Sequence, residues 1–403
     1  MYKTNCRVCN NTQLQKVLDL GLSPLANNLL NDKEDKAELF PLELMYCSDC
    51  HNCQLSYTVA AGKMFDHYLY VSSTAKSFRD HFENAANQYI NDFKLTTDNL
   101  IIDIGSNDGI ALKPFKEKGF KVLGIEPAKN IAELANSNGI DTLNEYFTYQ
   151  VANKIKDKAA IITASNVFAH ADGLEEIAHA AMSVLKSDGH FILEVQYLLD
   201  TIKDLTFDNI YHEHVNYWCV TSINNFFNRL GYSVVKVEHV NTHGGSIRVF
   251  VKHTNNDIDP SVSYFLEKEK LFGLTDISLY NIFAENVLNA KLTFLSNIKK
   301  IKDKNQTIVG YGSPAKATTT LNYFGVTNKD IDYILEDNSL KHNKYLPGVM
   351  IPIYSREMLS KQLPDNILIM AWNFAKEIIA NNQELVDKNV NFINIKDLQF
   401  HSI

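Results

Sequence analysis

Four short apolar runs recur in the middle of the chain, each followed by a polar or glycine-bearing turn. They are Ile101-Ile102-Asp103-Ile104, Lys121-Val122-Leu123-Gly124-Ile125, Ala159-Ala160-Ile161-Ile162-Thr163-Ala164 and His190-Phe191-Ile192-Leu193-Glu194-Val195. Runs of this length without alternation predict strands buried on both faces. Helical spacing lies between them, as over residues 174–185, and the turn Ser187-Asp188-Gly189 leads into the fourth run. Strand–helix alternation at this interval predicts an α/β fold with a doubly wound parallel sheet.

The pattern changes on either side. Residues 77–93 predict a helix before the sheet, and 232–239 and 246–253 predict its last strands. The breaker-rich turn Asn255-Asn256-Asp257-Ile258-Asp259-Pro260 marks a boundary. A long helical stretch follows over 262–302, expected to break near Gly273. Thr307-Ile308-Val309-Gly310-Tyr311-Gly312-Ser313 then predicts a strand and glycine loop feeding a helix over 315–323. With further strands at 332–337 and 366–370, this is a second, Rossmann-like α/β unit. Gly310-x-Gly312 lacks the third glycine of a dinucleotide loop, so by itself it names no cofactor. Three parts result: 1–75, 76–255 and 256–403. A chain of 403 residues is too long for one ordinary core.

Composition adds exclusions. Apolar content of 45% and charged content of 21% are ordinary for a globular protein. A net charge of −8 without a basic run argues against nucleic acid as a partner. No stretch has the length of uncharged apolar chain that spans a bilayer, and the first residues do not form a signal peptide. A cytoplasmic protein with reduced cysteines, and no membrane partner, is expected. Oligomeric state is left open.

Chemistry first appears after the first apolar run, at Asp103-Ile104-Gly105-Ser106-Asn107-Asp108-Gly109. The glycines allow close approach of a nucleotide-bearing cofactor to the backbone at the start of the next helix. Asp-x-Gly-x-x-x-Gly is the loop favoured by S-adenosylmethionine (SAM) methyltransferases, and Gly-x-Gly-x-x-Gly would favour a dinucleotide. Glu126 ends the second run about 20 residues on, where a ribose-binding carboxylate belongs. Asp103, Gly105, Ser106, Asn107, Gly109, Glu126 and Asn166 are therefore the expected cofactor residues. A Rossmann-like domain for another nucleotide is the competing reading.

Five of the six cysteines lie in the first 53 residues, as Cys6-x-x-Cys9 and Cys47-x-x-Cys50-x-x-Cys53. Two knuckles can offer four thiolates to one tetrahedral ion, and Cys6, Cys9, Cys47 and Cys50 are the expected ligands of a zinc. Cys53 is a possible substitute and His51 a weaker one; a redox pair or plain buried thiols is the alternative. Four protein ligands leave no open position, so the zinc is expected to be structural.

Tyr211-His212-Glu213-His214 follows the fourth strand, beyond the carboxyl ends of the sheet. The spacing is not that of a zincin, but a histidine beside a glutamate is a workable general base. A polar loop with one hydrogen-bonded core histidine is the plain alternative. Asn166-Val167-Phe168-Ala169-His170 ends the third strand, where polar side chains can face cofactor and substrate. In Thr242-His243-Gly244-Gly245-Ser246-Ile247-Arg248, His243, Gly244 and Arg248 suit phosphate or sugar hydroxyls. A hairpin turn with a surface arginine is equally compatible. Tyr68 and Tyr70 offer two phenols on one strand face, a pattern more often due to packing.

The order of zinc knuckles, SAM loop, Asn-Val-Phe-Ala-His, Tyr-His-Glu-His, His-Gly-Gly-Ser and Tyr-Gly-Ser-Pro-Ala-Lys-Ala resembles the bacterial deoxysugar C-methyltransferases. These three-domain enzymes add the branch methyl at C3 of nucleotide-linked 4-keto sugars, as in the tetronitrose, kijanose and mycarose pathways. The resemblance spans nearly the whole chain. It implies a class I SAM methyltransferase sheet between a zinc module and a Rossmann-like C-terminal domain. It also implies His214 as the base that removes the C3 proton. Glu213, Tyr211, Asn166, His170 and a phenol from Tyr68 or Tyr70 would line the sugar pocket. By the same resemblance the C-terminal domain helps hold the nucleotide diphosphate sugar, thymidine-linked in the family, with Lys316 and Lys341 at the phosphates. Methylation of a sugar oxygen or a nitrogen, and a non-catalytic zinc-stapled SAM-binding scaffold, are the competing functions.

Overall fold

The computed structural model describes residues 1–65, 72–74, 76–242, 244–254 and 257–400. Tyr68, Tyr70 and His243 lie outside the described residues.

The strands among the described residues form three sheets. The first is antiparallel, with β1 (Leu14–Pro24), β2 (Leu39–Cys47) and β3 (Cys53–Leu55) side by side. Phe40, Leu42, Leu44 and Tyr46 on β2 are buried while the residues between them are more open. That is the two-residue period of a half-buried strand.

The second sheet carries the apolar runs. Its strands are β4 (Leu100–Ile104), β5 (Lys121–Ile125), β6 (Thr142–Leu143), β7 (Ala159–Ser165) and β8 (Leu185–Gln196). A two-residue strand, β9 (Asn216–Tyr217), leaves this part of the chain and pairs with β3, extending the first sheet. The hairpin β10 (Tyr232–Val240) and β11 (Ser246–His253) closes one edge of the second sheet. The order is β10-β11-β8-β7-β4-β5-β6, with β11 antiparallel to its neighbours and β4 to β8 parallel. This is the class I methyltransferase sheet. The strand order reverses at β4, so the loops after β4 and β7 flank the crevice where such sheets bind ligands.

The turn expected at Ser187-Asp188-Gly189 is instead a bulge within β8. Pairing with β7 jumps from Ala159–Leu185 to Ile161–His190, so residues 186–189 swing out without ending the strand.

The third sheet is built from β12 (Ile308–Tyr311), β13 (Ile334–Leu335), β14 (Lys344–Tyr345), β15 (Pro352–Tyr354), β16 (Asn366–Ile369) and β17 (Asn391–Asn394). Its order, β14-β15-β13-β12-β16-β17, is parallel apart from β14 and reverses at β12. Two helices, Pro260–Phe272 and Ile277–Asp303, join the second and third sheets. They separate at Gly273, whose φ of +94° caps the first helix in the left-handed conformation. Asp259 and Asp276 cap their N-termini by accepting N–H bonds from Ser261 and Ser278. Tyr280, Phe283, Val287, Phe294, Ile298 and Ile301 form the buried stripe of the long helix. That helix packs on β1 and on the last helix, Ile395–Phe400. No helix among the described residues is long and apolar enough to cross a membrane.

Candidate active site

All three parts of the chain open onto one cavity of about 1110 Å³. The loop after β4 supplies Gly105, Ser106 and Asn107, and the loop after β7 supplies Asn166 and His170. Tyr211, Glu213 and His214 line it from the segment after β8, and Lys316 and Lys341 from the third sheet. Ligand cavities usually span about 300–1,000 Å³. This one has room for a cofactor and a second molecule together.

The cofactor end is shaped by backbone. Gly105 has φ +65°, and a Cβ there would lie 2.6 Å from Cγ2 of Val167. Asn107 and Asn166 also adopt left-handed backbone, at φ +48° and +61°. Such conformations in side-chain-bearing residues gather at functional sites. The loop N–H groups are not free donors: those of Gly105 and Ser106 bond to the Ile125 carbonyl, and that of Asn107 to Oε2 of Glu126 at 2.9 Å. Glu126 Oε1 accepts the Ala128 N–H at 2.8 Å. The carboxylate thus fastens the loop while still lining the cavity, and burial raises its pKa. Asp103 accepts the Thr163 hydroxyl at 2.6 Å, and burial pushes its carboxyl up to about 7. Pro127, Ala128 and Phe147 form an apolar wall beside Glu126 that suits a purine ring. Glycine cradle, buried carboxylate and apolar wall fit SAM. Gly109 is not at the cavity; with φ +84° it ends the loop against Ile140.

Gly105→Ala is expected to weaken SAM binding at least about tenfold, because a left-handed φ and a clash with Val167 both oppose the side chain. Calorimetric titration with SAM checks this; wild-type affinity would remove the loop from the cofactor site.

The histidine motif divides its side chains between two tasks. His212 is buried, contacts the Pro41 carbonyl at 3.3 Å and is pushed down to about 4 by burial, so it serves the joint with the first sheet. His214 faces the cavity. Its Nδ1 lies 2.9 Å from the Asn209 carbonyl and its Nε2 lies 2.9 Å from the Tyr211 hydroxyl. A carbonyl only accepts, so Nδ1 carries the proton and Nε2 holds the lone pair. His170 is fixed in the same way, with Nδ1 donating to the Glu213 carbonyl at 2.7 Å. Burial pushes His170 down to about 4, which keeps it neutral. Its ring centroid lies 4.9 Å from that of His214. Glu213 is buried and pushed up to about 7 by desolvation, with Asn27 Nδ2 donating to it at 2.6 Å. Asn27 belongs to the connection between β1 and β2, and nothing in its sequence neighbourhood signals this contact.

Lys316 Nζ is buried without a hydrogen-bond partner, 4.5 Å from the centre of the Trp372 ring. Burial brings it down to about 8, with Asp208 opposing the shift. Lys341 Nζ donates to the Ser313 carbonyl at 2.9 Å.

Two residues of the glycine turn stand outside the lining of the cavity. Arg248 is not among the residues that line the cavity: its guanidinium binds Glu194, itself a lining residue, at 3.1 Å and reaches Gln88 and Glu238. That fork is already engaged by buried and part-buried carboxylates. Gly244 does not line the cavity either; a Cβ there would lie 2.7 Å from Cη2 of Trp372, so the glycine admits that ring.

The sulfurs of Cys6, Cys9, Cys47 and Cys50 all lie within 4.8 Å of one another. The Cys6–Cys50 and Cys9–Cys47 separations are 3.5 and 3.6 Å. A tetrahedral zinc with bonds near 2.3 Å implies edges of about 3.8 Å, so the four fit that ion. Cys53 lies on β3 outside the cluster, and His51 Nδ1 bonds to the Tyr46 hydroxyl at 2.6 Å. Each knuckle closes alike, with the N–H of Asn10 on the Cys6 carbonyl and that of His51 on the Cys47 carbonyl.

Three family models match the chain. They are described as "Putative zinc binding domain" over residues 6–65, "Methyltransferase domain" over 78–237 and "C-methyltransferase C-terminal domain" over 241–395. The C-methyltransferase NovU of Streptomyces niveus is 33% identical over 395 residues, covering 96% of this chain and 94% of that protein. Among solved structures, magnesium protoporphyrin IX methyltransferase of Synechocystis PCC 6803 with bound SAM matches at 12% identity and a TM-score of 0.35, covering 44% of this chain and 79% of that one. A SAM-dependent methyltransferase of Clostridium acetobutylicum matches at 14% identity and 0.37, covering 44% and 92%.

Proposed function

The chain belongs to the zinc-binding, SAM-dependent C-methyltransferases, and we propose that its acceptor is C3 of a nucleotide-linked 4-keto-deoxysugar, deprotonated by His214. The observation that carries this reading is the fixed tautomer of His214. With Nδ1–H held by the Asn209 carbonyl, Nε2 is the basic nitrogen of a ring that lines the same cavity as the cofactor loop.

A sugar carbon is not nucleophilic until it loses a proton, and a ketone at C4 acidifies the proton at C3. The C3–H bond breaks toward Nε2 of His214, and its electron pair moves onto the C4 oxygen. SAM, when bound, supplies an electrophilic methyl group; the C3–methyl bond forms as the methyl–sulfur bond breaks. Tyr211 links base and oxyanion. Before the sugar binds, the phenol donates to Nε2; with the sugar in place its O–H turns to the C4 oxygen, which frees the lone pair of Nε2 for the C3 proton and gives the developing enolate a donor. His170, held neutral, takes no part as a protonated donor. Glu213, near neutrality in both of its forms, can donate or accept at a sugar hydroxyl. Holding both reactants in one cavity supplies much of the acceleration.

The nucleotide diphosphate is assigned to the end of the cavity lined by Lys316 and Lys341. The unpartnered buried ammonium of Lys316 favours an anion there. A panel of nucleotide-linked 4-keto-deoxysugars incubated with SAM should yield a product heavier by one methylene unit, with the new methyl bonded to carbon by NMR. A methyl on oxygen or nitrogen would overturn the acceptor assignment.

A further inference from the structure

The base-bearing segment leans on the C-terminal domain through a contact that the reaction chemistry does not use. Asp208 lies in the short turn Phe207–Asn209 and is 2% exposed. Its Oδ2 accepts the indole N–H of Trp372 at 2.7 Å, across 164 residues of sequence. Its Oδ1 has no hydrogen-bond partner, and the nearest ammonium in an ion pair with it, that of Lys396, is 3.9 Å away. The next residue, Asn209, is the one whose carbonyl holds Nδ1 of His214.

Trp372 is held from several sides. Lys316 lies 4.5 Å from its ring centre and Lys396 5.4 Å. Gly244 leaves no room for a side chain on a third side. Phe207, at the start of the turn, packs on Phe324 of the C-terminal domain with centroids 5.6 Å apart. Burying a carboxylate costs several kcal/mol that an apolar residue would not, so packing alone does not account for an acid at this place. A directional N–H···O bond to a rigid indole does account for it, because it fixes the turn in orientation as well as in position.

We infer that Asp208 is a positioning residue for the reaction: its bond to Trp372 holds the turn that presents the Asn209 carbonyl to His214. The docking of the C-terminal domain on the middle domain is then a condition of catalysis as well as of substrate binding. This rests on His214 as the base. If the carbonyl shifts, Nδ1 loses its acceptor, the imidazole can turn, and the tautomer with the proton on Nε2 cannot take a proton from carbon. Misplacement of a catalytic group by about 1 Å can cost about 100-fold in rate.

The test uses full-length Asp208→Ala, Asp208→Asn and Trp372→Phe, assayed with SAM and a thymidine-diphosphate-linked 4-keto-deoxysugar. Asp208→Ala and Trp372→Phe should lower kcat about tenfold or more, with KM for the sugar and SAM affinity within about threefold of wild type. Asp208→Asn keeps an acceptor for the indole N–H and should recover kcat to within about threefold. Wild-type kcat in Trp372→Phe would overturn the inference. So would a raised KM at unchanged kcat, which marks a substrate-holding role, or an asparagine variant as slow as the alanine. If Asp208→Ala does not fold, the other two variants decide. His214→Ala run alongside separates the two claims. An active His214→Ala removes the base itself, whereas an inactive one beside wild-type Asp208 and Trp372 variants removes only the positioning link.

Discussion

His214→Ala is expected to slow methyl transfer by about 10²- to 10⁴-fold while SAM affinity stays within about twofold of wild type. The size follows from what is lost: the group proposed to receive the C3 proton, and with it the partner of the Tyr211 hydroxyl. SAM affinity is expected to be spared because the cofactor loop is braced by bonds to Glu126 and Ile125. Both kcat and kcat/KM should fall together, the signature of an interaction made in the transition state. Tyr211→Phe should show a smaller loss, since Nε2 remains and only the donor to the enolate goes. Rates from coupled detection of S-adenosylhomocysteine, with SAM affinity by calorimetry, check both variants. Activity of His214→Ala within threefold of wild type would remove it as the base.

Loss of zinc is expected to be the largest change of all. Structural zinc sites supply about 10–16 kcal/mol of folding free energy in zinc-finger peptides. Cys47→Ser, or exhaustive chelation, should therefore unfold the first sheet, lower the thermal midpoint and abolish activity together. Activity goes because the knuckle is wired to the site. Arg7, between Cys6 and Cys9, binds Asp172 at 2.6 Å, Thr58 at 2.5 Å and the Leu55 carbonyl at 2.9 Å. Asp172 follows His170 by two residues, and β3 pairs with β9 two residues after His214. The first sheet also delivers Asn27 to Glu213. Metal analysis should find about one zinc per chain. A metal-free protein with full activity would contradict the assignment.

The parallel strands were legible because burial on both faces leaves an uninterrupted apolar run, and the helix break was legible because Gly273 supplies a left-handed cap. The zinc ligands were legible because knuckle spacing is local. What could not be seen is long-range. Asn27 meets Glu213 across 186 residues, and no periodicity carries such a pairing. Arg248 beside a glycine turn suggests a ligand contact until Glu194, from the neighbouring strand, neutralises it. β9, β14 and β15 are too short to show a pattern. Gly244 signalled a phosphate turn because a glycine needed for ligand approach and one needed for a tryptophan ring look alike in sequence.

If His214 makes a carbanion at the carbon beside a ketone, hydrogen exchange at C3 of a thymidine-diphosphate-linked 4-keto-deoxysugar in D₂O, with S-adenosylhomocysteine in place of SAM, reports it most directly. Wild-type protein should wash deuterium into C3 well above the buffer rate, and His214→Ala should not. A wild-type protein that transfers methyl from SAM yet leaves C3 unexchanged, or a His214→Ala variant that exchanges as fast as wild type, would rule out His214 as the base at C3.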